Sequence, residues 1–298
     1  MKRNNFRKFS WAILIMMSMV GSAQSQESSL LWKVSGNGLE KESYLFGTIH
    51  IICKSDFLMD DRILSALEES EKLIMELDMS DPELPLKMQQ VSVNPEMKNI
   101  QGEMEASMAD ALDEFLTKNY GAGLAQLGVL KPFVLSSMVL LKSLPCTEVV
   151  SYEGFFSEKA KEAGIPVSGL ETVEFQVGIF DQIPQELQLK ELGKLISDEG
   201  ADKDLEKMMS SYLTEDIEAI DKVMNSEGMV SEYRTVLLDD RNKSWIPKME
   251  EAMKSNSVFI AVGAGHLGGE FGVISLLKKA GYTVDPINQE EKVTAIQN

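Results

Sequence analysis

The chain has 298 residues, 26% charged and 44% hydrophobic, with 21 Gly and 9 Pro, a globular composition that excludes collagen-like, low-complexity and wholly disordered classes. Its 47 acidic against 29 basic side chains give a net charge of −18. Such a surface repels polyanions, so nucleic acid is excluded as an expected partner, while the acidity itself names none.

Lys2, Arg3, Arg7 and Lys8 precede an apolar run from Trp11 to Val20, followed by the small residues Gly21, Ser22 and Ala23. Basic start, short apolar stretch and small-residue exit form the pattern of a secretory signal peptide over residues 1–23, with cleavage near Ala23 or Ser25. The alternative is a membrane anchor, but spanning a bilayer takes about 20 apolar residues. Loss of the four basic side chains takes the exported chain to −22. No later apolar run approaches spanning length, so no stable membrane span is expected after export. The expected location is periplasmic or extracellular. There the two cysteines, Cys53 and Cys146, meet oxidising conditions, and a disulfide between them is expected. The alternatives are two buried free thiols and, less favoured because no CxxC pair exists, a two-Cys metal site.

Leu30–Val34 and Tyr44–Ile49, separated by Gly36, Asn37 and Gly38, read as a β-hairpin. Asp60–Lys72 has helical periodicity, with Asp60 or Asp61 as N-cap. Leu73–Leu77 (LIMEL) is then a buried strand interrupted by Glu76. Met79–Gly102 holds Pro82, Pro85 and Pro95 and reads as a loop or flap. Helices are expected over Glu103–Tyr120, Phe133–Leu144 and Tyr152–Glu162, and a strand over Ile165–Leu170. Glu171–Glu251 is helical throughout, with breaks near Pro184, Gly200 and Gly228. Val258–Val262 is a strongly apolar strand, Phe271–Ala280 a helix and Tyr282–Val284 a last strand. Strands alternating with helices at both ends predict an α/β fold, a mixed central sheet flanked by helices with a large helical middle segment. No Ser/Gly-rich linker divides it, so residues 27–298 are read as one domain. The 18 methionines are read as core fillers first.

The chain has only two histidines, and each ends a Gly-x-x-His run directly after an apolar strand: Gly47-Thr48-Ile49-His50 and Gly263-Ala264-Gly265-His266. In open α/β sheets ligands bind beyond the carboxyl ends of strands, where both histidines fall. Gly47, Gly263 and Gly265 allow sharp turns or close approach. Neutral imidazole is the commonest protein metal ligand, so His50 and His266 are a candidate metal pair. A bare carboxylate inside an apolar strand needs a metal or an Arg as partner, and Glu76 is the candidate third ligand. Glu171, at another strand end, and Glu153 are candidate general bases. Arg241, after Asp239 and Asp240, is expected to stabilise an oxyanion or orient a carboxylate. No Gly-x-Ser-x-Gly elbow, HExxH helix or Walker A loop is present.

The segments LFGTIH, LIMEL, YEGFFSEKAKEAGIPVSGLETVEFQ (Tyr152–Gln176), DDRN (Asp239–Asn242) and VFIAVGAGHLGGEFGVISLLKKAGYTV resemble the TraB/GumN/Tiki family from about Leu31 to Pro286. The resemblance implies a fold shared with erythromycin-esterase-like and haem-uptake ChaN-like proteins and, through Tiki members, divalent-metal-dependent proteolysis. It maps family residues onto His50, Glu76, Glu171, Arg241 and His266. At Glu153 the family usually has Asp. The expected function is an exported hydrolase of peptide or protein, holding a divalent ion (Mn, Co, Fe or Zn) through His50, Glu76 and His266. The alternatives are a metal-free hydrolase of erythromycin-esterase type, with a histidine as general base, and a haem- or ligand-binding protein without turnover.

Overall fold

The computed structural model describes residues 28–197, 201–226 and 228–289. The signal segment over 1–23 and the break at Gly200 lie outside the described residues.

The apolar runs build a six-stranded sheet. Its members are β1 (Leu31–Gly36), β2 (Ser43–Thr48), β4 (Lys72–Met75), β6 (Val167–Gly169), β7 (Val258–Gly263) and β8 (Tyr282–Pro286). Two further short strands, β3 (Ile52–Cys53) and β5 (Val149–Val150), pair separately. The order across the large sheet is β6-β4-β7-β2-β1-β8. β6, β4, β7 and β2 are mutually parallel, whereas β1 runs antiparallel to both β2 and β8. The expected hairpin is the β1–β2 pair, with Leu31 opposite Phe46 and Val34 opposite Ser43. β2 and β7 are buried almost throughout, which explains why both read as continuous apolar runs rather than alternating ones.

Local rules account for several helix ends. Asp60 caps the Asp61–Glu68 helix by accepting from the Arg62 and Ile63 amides. Gly121 and Gly164 close the Ala106–Tyr120 and Tyr152–Ala163 helices in the left-handed conformation. The segment 79–102, expected as a loop, contains a helix over Leu84–Val91. Pro85 lies in its first turn, where a missing N–H costs nothing. β3 and β5 were too short to carry a pattern of their own.

The main core joins both sheet faces to the flanking helices and includes Trp245, Tyr152, Phe46, Phe156 and Phe259. A second apolar cluster, with Leu112, Leu116, Leu135 and Leu192, ties together the helices over 106–120, 132–143 and 185–196. Among the described residues no helix is long and apolar enough to cross a membrane. Cys53 and Cys146 form a disulfide with Cα atoms 5.8 Å apart.

Candidate functional site

The four parallel strands end side by side, and each delivers a polar residue just past its carboxyl end. Across β6, β4, β7 and β2 these are Glu171, Glu76, His266 and His50. Residues far apart in sequence thus share one edge. Glycine makes the close packing possible at two points. A Cβ on Gly47 would sit 2.6 Å from Leu267 Cδ1 and 3.2 Å from the Ala264 backbone. One on Gly263 would come within 3.2 Å of Glu76 Oε1. Gly265 packs against the flexible end of Met224.

The helix over Asp240–Met253 brings Arg241 between the carboxylates. Its Nη2 donates to Glu76 Oε2 (2.6 Å) and Glu171 Oε2 (2.8 Å), and its Nε to Glu171 Oε1 (2.9 Å). Nη1 donates to the Leu237 carbonyl (3.0 Å) and to His266 Nε2 (3.1 Å). A guanidinium has five N–H groups, and all five are engaged within the protein. That is the geometry of a cation orienting carboxylates. Trp245, one turn on, donates its indole N–H to Glu171 Oε1 (2.9 Å) and lies under the guanidinium, 5.0 Å from ring centroid to Cζ. Gln176 donates to Glu76 Oε2 (2.9 Å), and the Gly263 amide donates to Glu76 Oε1 (2.8 Å). Burial pushes the Glu76 carboxyl up. His266 once it is charged, Arg241 and His50, with the Gly263 amide, outweigh that and hold it at about 2. The glycine-containing turn before Glu171 suggests an open carboxylate, yet its side chain is only 1% exposed, because Arg241 and Trp245 close over it.

The two histidines are in unlike settings. His266 is buried, and Asn242 Oδ1 accepts from its Nδ1–H at 2.6 Å. That bond fixes the tautomer whose Nε2 lone pair faces Arg241. Burial pushes the ring down to about 3, and the charges of Arg241 and His50 add to the effect. An imidazolium would point an N–H at the Arg241 donor, so the neutral ring is the one that fits. Asn242 itself donates to the Phe271 carbonyl at 2.9 Å.

His50 lies at the open end, its side chain 68% exposed. Its Nδ1–H donates to Glu153 Oε1 at 3.0 Å. Thr48 Oγ1 donates to the same oxygen (3.0 Å), and Ser151 Oγ donates to Glu153 Oε2 (3.1 Å). The Glu153 hydrogen bond raises His50 to about 9, outweighing desolvation, and the charge of Glu76 adds to it while that of Arg241 opposes. Burial pushes the Glu153 carboxyl up, but His50 and Thr48 hold it below the usual carboxylate range.

The expected ion can be tested against these donors. Among the described residues no three His, Cys, Asp or Glu side chains converge as a metal set. His266 Nε2 and Glu76 Oε1 face each other at 3.9 Å, but Nε2 and Glu76 Oε2 both accept from Arg241. The guanidinium holds the place of a bound cation, so the set as arranged does not fit a divalent ion.

Asn242, Trp245, Gln176 and Thr48 are the site residues to which sequence reasoning gave no role. Thr48 lies within the first Gly-x-x-His run, and Asn242 and Trp245 follow Arg241 by one and four positions on one helix. Gln176 carried no signal of its own.

A mixed α/β sheet whose parallel strand ends converge on two carboxylates, an arginine and two histidines defines a class of protein with a polar reaction or binding centre at the sheet edge. The family model that matches residues 30–286 places it: the chain belongs to the TraB/PrgY/gumN family. No curated protein and no solved structure matches the chain.

Proposed function

We propose that this protein is an exported hydrolase that activates water at His50, with a peptide or protein as substrate. The observation that carries the reading is the His50–Glu153 pair: an exposed imidazole held through Nδ1 by a half-buried carboxylate. Such a pair fixes the tautomer and leaves Nε2 of the neutral ring to take a proton from water as it attacks an acyl carbon; the C–N bond then breaks and the departing amine takes that proton from Nε2. Glu153 stabilises the imidazolium that forms. Arg241 holds Glu76 and Glu171 in line through three hydrogen bonds, so the interior side of the site is fixed in place. Export is supported by the basic–apolar–small start of the sequence and by the disulfide. The peptide substrate rests on the family resemblance.

The test is cleavage of a peptide library, read by mass spectrometry, before and after chelation, with metal content measured on the same sample. Expected is turnover indifferent to chelator and lowered about 10²–10⁴-fold by His50→Gln. Turnover that is lost on chelation and restored by Mn, Co, Fe or Zn would make the reaction metal-dependent and require Arg241 to withdraw from His266. A protein that carries haem or another ligand and cleaves nothing would be a binding protein, and the hydrolase reading would fall.

A further inference from the structure

The acceptors around Arg241 do not depend on Arg241 for their places. Asn242 Oδ1 holds the His266 ring through its Nδ1–H, and Asn242 is itself tied to the Phe271 carbonyl. The Gly263 amide holds Oε1 of Glu76 (2.8 Å), Gln176 holds its Oε2 (2.9 Å), and the Trp245 indole holds Oε1 of Glu171 (2.9 Å). The two carboxyl-bearing residues are also joined through the backbone, the Glu171 amide donating to the Glu76 carbonyl at 2.9 Å. The side chains of Glu76, Glu171 and His266 are 7%, 1% and 6% exposed, so the set is closed to bulk water.

What these acceptors surround is a flat cation. Glu171 takes the Nε and Nη2 edge through both of its oxygens, Glu76 Oε2 takes Nη2, and His266 Nε2 and the Leu237 carbonyl take Nη1. Trp245 covers one face of the plane. A metal ion with bonds of about 2.0–2.2 Å reaches ligand atoms no farther apart than about 4.4 Å. His266 Nε2 and Glu76 Oε1, at 3.9 Å, meet that limit, but among the described residues no third His, Cys, Asp or Glu joins them. The acceptors are spaced for three nitrogens in a plane and not for one sphere.

We propose that this buried set is a guanidinium-binding slot, selective for a planar cation over a divalent metal ion, which the chain fills with its own Arg241. The slot therefore outlasts removal of that side chain and takes free guanidinium from solution. Truncation to alanine opens the volume such an ion needs and leaves Asn242, Gly263, Gln176 and Trp245 in place. The inference concerns the buried set and holds or fails independently of turnover at His50.

The test titrates guanidinium chloride into the exported chain carrying Arg241→Ala, kept below about 0.1 M, where its denaturing action is small. Guanidinium is expected to raise the melting temperature by about 3–5 °C at roughly ten times its dissociation constant. It should also return the His266 Nε2 nitrogen resonance, displaced by the substitution, to its wild-type position. Sodium chloride at equal ionic strength and zinc chloride in excess over protein should do neither. Wild type, whose slot is filled, and Arg241→Ala/Glu76→Gln, whose slot is broken, should not respond to guanidinium. Should Arg241→Ala be unfolded on its own, guanidinium in this range is expected to restore its circular dichroism. Guanidinium that neither stabilises nor refolds the variant overturns the proposal. So does an equal response in wild type or in the double variant, and so does zinc that stabilises Arg241→Ala as much as guanidinium.

Discussion

The two histidines end matching Gly-x-x-His runs and follow adjacent strands, yet the protein puts them to opposite uses. His266 is 5% exposed, neutral and locked between Asn242 and Arg241. His50 is open to water and pulled toward the charged form by Glu153. Burial explains the difference. Enclosed by Trp245, whose ring centroid lies 4.5 Å from its own, His266 loses the solvation its charge would need. At the end of the row, His50 keeps water on one side and a carboxylate on the other. The same motif thus yields a buried, fixed acceptor in one case and an exposed imidazole paired with a carboxylate in the other. Matched motifs specify position and not protonation.

The largest effect should come from breaking the buried half. Arg241→Met leaves Glu76 and Glu171 facing each other without a cation, and removing one partner of a buried pair costs about 3–5 kcal/mol. Urea unfolding should show that loss, and cleavage should disappear with it. The same half is acid-sensitive. Glu76 is held at about 2, below its ordinary 4.5, so the stability it contributes is present above about pH 4.5 and lost as pH falls toward 2. The urea midpoint should drop over that window in wild type, and less in Glu76→Gln.

The exposed half should behave in the reverse manner. His50→Gln is expected to lower turnover by about 10²–10⁴-fold, the contribution of a general base. Its melting temperature should stay within a degree or two, since an exposed surface substitution changes stability by less than about 0.5 kcal/mol. Equal losses of stability for His50→Gln and Arg241→Met would erase the contrast between the halves.

Asn242→Leu tests the tautomer lock. It strands the buried Nδ1–H of His266, at a cost of about 1–3 kcal/mol, and the Nδ1 nitrogen resonance should move as its hydrogen bond disappears. Smallest is the pH effect of Glu153→Gln. In wild type the neutral fraction of His50 grows up to about pH 9, so kcat/KM should rise until then. The variant should reach its plateau nearer pH 6.5, the ordinary imidazole value. The stability that the pair contributes is present below pH 6.5 and lost as pH rises through about 9, and solvent exposure of His50 keeps it small. A profile that does not move would take His50 out of the proton transfer.

Some of the site was legible before the fold. Glu76 is conspicuous as a carboxylate inside LIMEL, because burying a charge among Leu and Met demands a partner. The histidines stand out through their glycines, and close packing explains them: Gly47 against the turn of Ala264 and Leu267, Gly263 against Glu76. The partner of Glu76 was not legible as such. An ion supplied from outside and an arginine 165 residues away satisfy the same requirement. Only packing shows that the arginine occupies the position. Glu153 was read as a base in its own right and is found as the partner of His50. Their pairing joins segments 103 positions apart, which no local pattern records.

By itself the sequence determined the six strands of the main sheet, several helix ends and which residues crowd the carboxyl edge. Those follow from periodicity, caps and glycines, all local within a few residues. Only the tertiary structure decided who neutralises whom. Partners in the site are separated by 24 positions for Asn242 and His266, 70 for Glu171 and Arg241, and 103 for His50 and Glu153. Charge states depend on the burial and neighbours that such long-range closures create. One histidine therefore ends near 3 and the other near 9, although their motifs read alike.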